Sequence, residues 1–309
     1  MPIATTILMI RPAAFGYNSE TAANNFFQTK GNASDQQTVH QDALKEFDNM
    51  VNSLRSHDID VLVIEDTREP AKPDAIFPNN WISTSPDGTV SIFPMFAPSR
   101  RLEKRDEVVD QIAKDFIVTD MQDWSEYEVD GRFLEGTGSM VIDHDNKMIY
   151  AAVSERTSLA VLEKYAARNH FQAIVFLSTE KDGRPVYHTN VVMTLGEHFC
   201  ILCEESIEEE WELIAVRQLL ESTGHSIIPI TRDQMHCFAG NMLELKNKKG
   251  EHFLILSQTA MNSLRKEQKQ MLEAYVKLVP IAVPIIEHVE GGSVRCMMAE
   301  IFLEPKKSQ

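Results

Sequence analysis

The sequence predicts an α/β protein built as a ring of five similar ββαβ units, and three observations carry that reading. A short Gly/Asn-rich polar step runs into an apolar strand at five places, ending at Asn80, Ser139, Asn190, Asn241 and Arg295. The separations are 59, 51, 51 and 54 residues, a recurrence in the range of radial or stacked arrays. After each step the same order follows: strand, turn, strand, amphipathic helix, strand. The fifth unit is cut short, and the strand, helix and strand that it lacks appear at the other end of the chain.

The N-terminal piece reads as strand 5–10, helix 38–57 and strand 61–64. After Asn80 come strands 81–84 and 90–95 around Pro86-Asp87-Gly88; Asp-Gly between apolar runs is a hairpin signal. Helix 100–116 and strand 117–119 complete that unit. The second has strands 140–143 and 148–153, helix 154–168 and strand 173–177. The third has strands 191–195 and 198–203, a helix 206–222 and strand 226–230. Ser206 followed by acidic residues is a favourable helix start. Strands 242–245 and 252–256, helix 263–278 and strand 281–284 form the fourth unit, and 297–302 begins the fifth. Residues 1–309 are thus expected to form one catalytic domain, with helices outside and the steps facing the axis. Segment 11–35, rich in Asn, Ala, Phe and Gln and without clear period, reads as a lid over the axial cleft or a surface loop.

Composition narrows the function. With 30 basic and 46 acidic residues the net charge is −16, which argues against an electrostatic grip on nucleic acid or anionic membrane. No apolar stretch approaches the roughly 20 residues needed to span a bilayer. The first residues lack a basic region and read as a strand, not a signal peptide. Four cysteines in 309 residues do not make a disulfide framework. A cytoplasmic setting is expected.

Cys296 follows Gly291-Gly292-Ser293 at a strand start beside Arg295, where backbone N–H groups and a cation favour the thiolate, the nucleophilic form. His188 holds a matching position two units earlier, and a histidine in reach can take the thiol proton and protonate a leaving amine. Glu135 opens the second step and supplies a carboxylate to orient His188 or raise its pKa. Cys200 and Cys203 alternate in an apolar strand with no second pair to complete a zinc site, so they and Cys237 read as core. Glu290-Gly291-Gly292-Ser293 precedes a strand rather than a helix and is no phosphate loop. No metal or organic cofactor is expected.

The ordered set Asp74-Ala75-Ile76-Phe77-Pro78-Asn79-Asn80, Phe133-Leu134-Glu135-Gly136, His188-Thr189-Asn190, Gly240-Asn241 and Gly291 to Met297 resembles the guanidine-modifying superfamily. That superfamily includes arginine deiminase, dimethylarginine dimethylaminohydrolase and the amidinotransferases, on the five-bladed α/β propeller (pentein) fold. The resemblance covers essentially the whole chain. It implies Cys296 as nucleophile, His188 as general acid/base and Glu135 as its partner, with a small amino acid as substrate. It also implies that Asp74 contacts the substrate's α-amino group or backbone and that Arg156 holds its α-carboxylate. Asn80, Asn190 and Asn241 complete the expected substrate-binding set.

Guanidinium-binding members usually carry acids at the positions of Asn80 and Asn190. A guanidinium has donors only and calls for carboxylate acceptors, and burying it opposite neutral amides forfeits the charge pairing that offsets desolvation. A ureido group is neutral and offers both a carbonyl acceptor and N–H donors. The amides therefore point to citrulline, hydrolysed to ornithine, ammonia and carbon dioxide. Arginine or dimethylarginine hydrolysis is the first alternative and amidino transfer the second. A non-catalytic binding module is a third, and a homodimer is compatible with the sequence.

Overall fold

The computed structural model describes residues 2–22, 25, 27–28 and 36–307. Residues 23, 24, 26 and 29–35 of the expected lid lie outside the described residues. Among the described residues, fifteen strands form five three-stranded sheets. In chain order the strands are β1 (Thr6–Arg11), β2 (Asp60–Glu65), β3 (Ile82–Thr84), β4 (Thr89–Ile92), β5 (Asp120–Asp123), β6 (Val141–Asp143), β7 (Met148–Ala152), β8 (Gln172–Phe176), β9 (Met193–Leu195), β10 (Phe199–Leu202), β11 (Ser226–Pro229), β12 (Leu243–Lys246), β13 (His252–Ser257), β14 (Lys277–Ile281) and β15 (Ala299–Ile301).

Every sheet repeats one pattern. The inner strand pairs antiparallel with the middle one, and the middle pairs parallel with the outer: β3-β4-β5, β6-β7-β8, β9-β10-β11 and β12-β13-β14. A tight turn joins an antiparallel pair, whereas a parallel pair needs a crossover, which is why each blade reads ββαβ. The fifth blade, β15-β1-β2, joins the two ends of the chain, with Thr6 opposite Ile301 and Asp60. Its crossover helix, Gln36–Ser56, buries Ala43, Phe47, Met50, Val51 and Leu54. That spacing is one face of a helix, and burial of each large apolar side chain contributes about 1.5–3 kcal/mol relative to exposure. The pentein ring read from the sequence is the fold observed.

Local differences have identifiable causes. The outer strand expected at 117–119 forms instead at Asp120–Asp123, because Ile117 N donates to Glu304 O and Phe116 bridges to Pro305. The helix expected over 100–116 is two helices, Pro98–Arg101 and Asp106–Asp115. The helix expected from 154 begins at Leu159, since Ser154–Thr157 close a turn of their own. Ser206 caps nothing: its hydroxyl donates to Cys203 O at 2.7 Å in a 3₁₀ turn, and the helix starts at Glu210. The helix over 263–278 is interrupted near Leu264, giving Gln258–Ser263 and Lys266–Glu273, with the outer strand at Lys277–Ile281. Three steps are themselves single helical turns, Pro78–Asn80, Gly136–Ser139 and Thr189–Val192. They aim their side chains before each inner strand begins.

Candidate active site

The steps stand at the N-terminal ends of the inner strands, so ring closure brings residues far apart in sequence to one place. Cys296, His188, Asp74, Asn80 and Arg156 line a single pocket of about 20 Å³. All five are buried; Cys296 is 4% exposed and His188 2%.

Glu135, fully buried, accepts a hydrogen bond from His188 Nε2 at 2.8 Å, and its other oxygen accepts from Phe96 N at 3.0 Å. Arg156 Nη1 lies 3.5 Å from the same carboxylate. Burial alone would raise the Glu135 pKa; the Arg156 charge and the His188 hydrogen bond outweigh it and hold it at about 2. The sequence allowed Glu135 to raise the His188 pKa. The structure reverses the net sign: burial dominates the pull of Glu135 and lowers it to about 4. At neutral pH the pair is therefore carboxylate and neutral imidazole. The bond to Glu135 fixes the proton on Nε2 and leaves Nδ1 as the acceptor.

Gly138 makes room for that ring. A Cβ there would lie 2.4 Å from Asn80 Nδ2 and 2.9 Å from His188 Nδ1, so only glycine lets the amide and the imidazole flank the step. Tyr187 packs beside the ring at 4.8 Å and donates to Gly291 O at 3.1 Å, with the Arg156 guanidinium 5.0 Å over its face.

At Cys296 the sulfur receives Asn241 Nδ2 at 3.3 Å and Asn190 Nδ2 at 3.7 Å. These two amides, expected to bind substrate, hold the thiol and are not part of the pocket wall. Arg295 does not accompany the thiol either. Its guanidinium donates to Met298 O at 2.9 Å and pairs with Glu300 at 3.0 Å, from the turn at 294–297 that precedes β15.

Two functional residues escaped the sequence reading. Arg100 is buried against Glu103 through paired bonds of 2.9 Å and donates to Asn80 Oδ1 at 2.7 Å and Phe77 O at 3.1 Å. Its signal was the Ala97-Pro98-Ser99-Arg100-Arg101 helix start, which reads as surface. Glu290, 1% exposed, lines the pocket; Oε2 accepts from Gln28 Nε2 at 3.1 Å and Oε1 has no partner. Burial, then the neighbouring Asp74, pushes its pKa well up, toward the neutral acid. Asp74 itself accepts from Asn18 Nδ2 and lies 4.0 Å from Arg100 Nε.

The described part of segment 11–35 covers the pocket. Arg156 Nη2 donates to Thr21 O at 3.0 Å and Asn25 Nδ2 to Glu290 O at 2.9 Å. Gly291, at φ 64°, permits the approach: a Cβ would sit 2.7 Å from Gln28 N. Elsewhere, Cys200 and Cys203 are buried as expected, and burial pushes the Cys203 thiol up to about 11. Cys237, expected in the core, is only half-buried. Glu197, Glu244 and His252 converge at the edge of the fourth blade, where His252 Nδ1 meets Glu244 Oε1 at 2.6 Å. No helix among the described residues is long and apolar enough to cross a membrane.

Known proteins bear on this arrangement at several levels. The family model for N,N dimethylarginine dimethylhydrolase, eukaryotic, matches residues 11–303. No curated protein sequence matches the chain. Among solved structures, apo ArgZ, an arginine dihydrolase from the ornithine-ammonia cycle in cyanobacteria, superposes with TM-score 0.74 at 13% identity. That match covers 97% of this chain and 41% of ArgZ, so the chain spans well under half of the full-length protein. The N-terminal domain of ArgZ, as a substrate-bound cysteine-to-serine mutant, gives 0.72 at 13% identity, covering 97% and 98% of the two chains. A dimethylarginine dimethylaminohydrolase carrying an S-methyl-L-thiocitrulline adduct gives 0.64 at 14%, covering 97% and 100%. Fold and family model agree: the chain belongs to the N,N dimethylarginine dimethylhydrolase family, eukaryotic type, of the guanidine-modifying pentein superfamily.

Proposed function

We propose that this protein is a citrulline hydrolase, with residues 1–309 acting as one catalytic unit. The carrying observation is the orientation of Asn80. Arg100 Nη1 occupies Asn80 Oδ1 at 2.7 Å, which turns the amide so that Nδ2 is left buried without a partner beside the pocket. An asparagine amide offers both a donor and an acceptor; here only the donor remains. An unpaired buried donor costs about 1–3 kcal/mol, and a ureido oxygen satisfies it. A guanidinium, which has no acceptor, leaves it unpaired and adds a cation near Arg100.

Cys296, relieved of its proton by His188 Nδ1, attacks the ureido carbon while Asn80 Nδ2 donates to the oxygen that gains charge. The C–N bond to the terminal nitrogen breaks, and His188 passes the proton to that nitrogen, releasing ammonia. A carbonyl carbon joined to sulfur and to the ornithine nitrogen remains. Water adds to it, the C–S bond breaks, and the resulting carbamic acid loses carbon dioxide. Asn190 and Asn241 receive the returning sulfur. Asp74 and Arg156 serve the α-amino and α-carboxylate groups.

Asp74 and Glu290 favour a second reading, an arginine or methylarginine hydrolase, because both acids line the pocket; the names of the family and of ArgZ agree with it. Competition among citrulline, arginine and dimethylarginine decides between the two. Citrulline is expected to have the highest kcat/KM, and preference for arginine would overturn the proposal. Asn80→Asp is expected to raise the arginine-to-citrulline ratio about 10-fold, since exchanging an amide for an acceptor reverses the hydrogen-bond match. Arg100 restrains the gain by pairing with the new carboxylate.

A further inference from the structure

Asn190 stands between two cavities. Its Nδ2 meets Cys296 Sγ at 3.7 Å, and it also lines a second cavity of about 50 Å³, room for a few waters. Residues of the inner strands of all five blades, β3, β6, β9, β12 and β15, bound that cavity, so it follows the ring axis. Thr84, Thr137, Thr194, Arg295 and Glu300 make much of its wall polar. Asn190 Oδ1 and His144 Nδ1, both buried, have no hydrogen-bond partner. Unpaired buried polar atoms in a roomy polar cavity are positions for ordered water. The substrate pocket differs: Thr21, Asn25 and Gln28 cover it, and its volume is about 20 Å³, room for little more than one water. A bound amino acid leaves no spare room there, yet the second half-reaction consumes one water per turnover.

We propose that the axial cavity is the water store for the hydrolytic half-reaction, and that Asn190 passes water from it to the carbon bonded to Cys296. This rests on the covalent-cysteine reading above but not on the choice of citrulline over arginine. In the step supplied, the water oxygen bonds to the carbon of the adduct. The C–S bond breaks with its electron pair returning to Cys296 Sγ, and the water proton goes to His188 Nδ1.

Val141→Phe on β6 and Thr194→Leu on β9 fill the cavity from residues that do not line the substrate pocket. The readouts are the pre-steady-state ammonia burst and intact-protein mass spectrometry after acid quench. Filling is expected to leave the burst rate within 2-fold, slow steady-state turnover at least 10-fold and make the covalent adduct the main enzyme form. Thr194→Val, which loses the hydroxyl bonds to Gly240 and Met242 without adding volume, should slow steady state less than Thr194→Leu, and Val141→Phe alone judges the proposal if the leucine variant does not fold. Unchanged steady-state rates in folded filled variants, or burst and steady state slowed equally with no adduct, would overturn it. If arginine rather than citrulline is turned over, the ureido reading fails while the same burst and adduct measurements on arginine still judge the water store.

Discussion

The two sides of Cys296 are made of different chemistry. Toward the substrate pocket the structure buries ionisable groups: Asp74, Glu290, Arg100 with Glu103, and Arg156 with Glu135. Toward the axis it presents apolar side chains, hydroxyls, the Asn190 amide, His144 and one ion pair, Arg295 with Glu300. Buried charges are costly unless paired, and each cation here has a carboxylate neighbour. That cost is tolerable where a charged amino acid must be held and oriented. On the proposal made above, the axial side handles a sulfur and water, which an amide and hydroxyls serve. The difference divides recognition from hydrolysis, and each side can be disturbed separately.

The largest effect is expected at the boundary. Cys296→Ser should fold as the parent and lose turnover by about 10⁴-fold or more, as removal of a nucleophile does; retained activity in a rate assay would remove Cys296 from the chemistry. Glu135→Gln acts on the pocket side alone. It unsets the His188 proton, so kcat should fall about 10³–10⁴-fold, and Cys296 alkylation, which needs the thiolate that His188 generates, should slow as well. Next is Gly291→Ala, which puts a side chain at positive φ against the covering segment. It should destabilise by about 1–2 kcal/mol and raise KM more than it lowers kcat, measured by melting and by steady-state kinetics.

The smallest effect is a pH slope. His188 has a folded pKa of about 4 against 6.5 when free. As pH falls through that window the unfolded chain takes up the proton first, so stability present above pH 6.5 is lost progressively toward pH 4. Glu135, held near 2, extends the loss below its unfolded value of 4.5. His144 is also held near 4 by burial and contributes in the same sense. His188→Asn should therefore reduce the slope between pH 6.5 and 4 by one proton, not abolish it. An unchanged slope in denaturant titrations would mean that His188 is not buried in its neutral form.

The residues of the steps were legible because their types are rare in combination: a cysteine after two glycines, a histidine and a glutamate at matching points of one repeat. Arg100 and Glu290 were not. An arginine in a Pro-started helical turn is usually solvated, and only the bond to Asn80 reveals its task. Segment 11–35 was legible as unusual, but its contacts lie across the ring at Arg156 and Glu290, which no local pattern encodes. The direction of the His188 shift also required the structure, since burial and Glu135 act oppositely and only their relative size decides.

Taken alone, the sequence determined the five-unit ring and its closure by the two ends, and it singled out Cys296, His188 and Glu135, which the structure brings to one place. Those follow from local periodicity and from residue chemistry. Tertiary structure decided which way each amide faces, that Asn190 and Asn241 hold the sulfur rather than the pocket, and that Arg295 turns to the axis. Such choices depend on contacts between blades some fifty residues apart, and these exist only once the ring has closed.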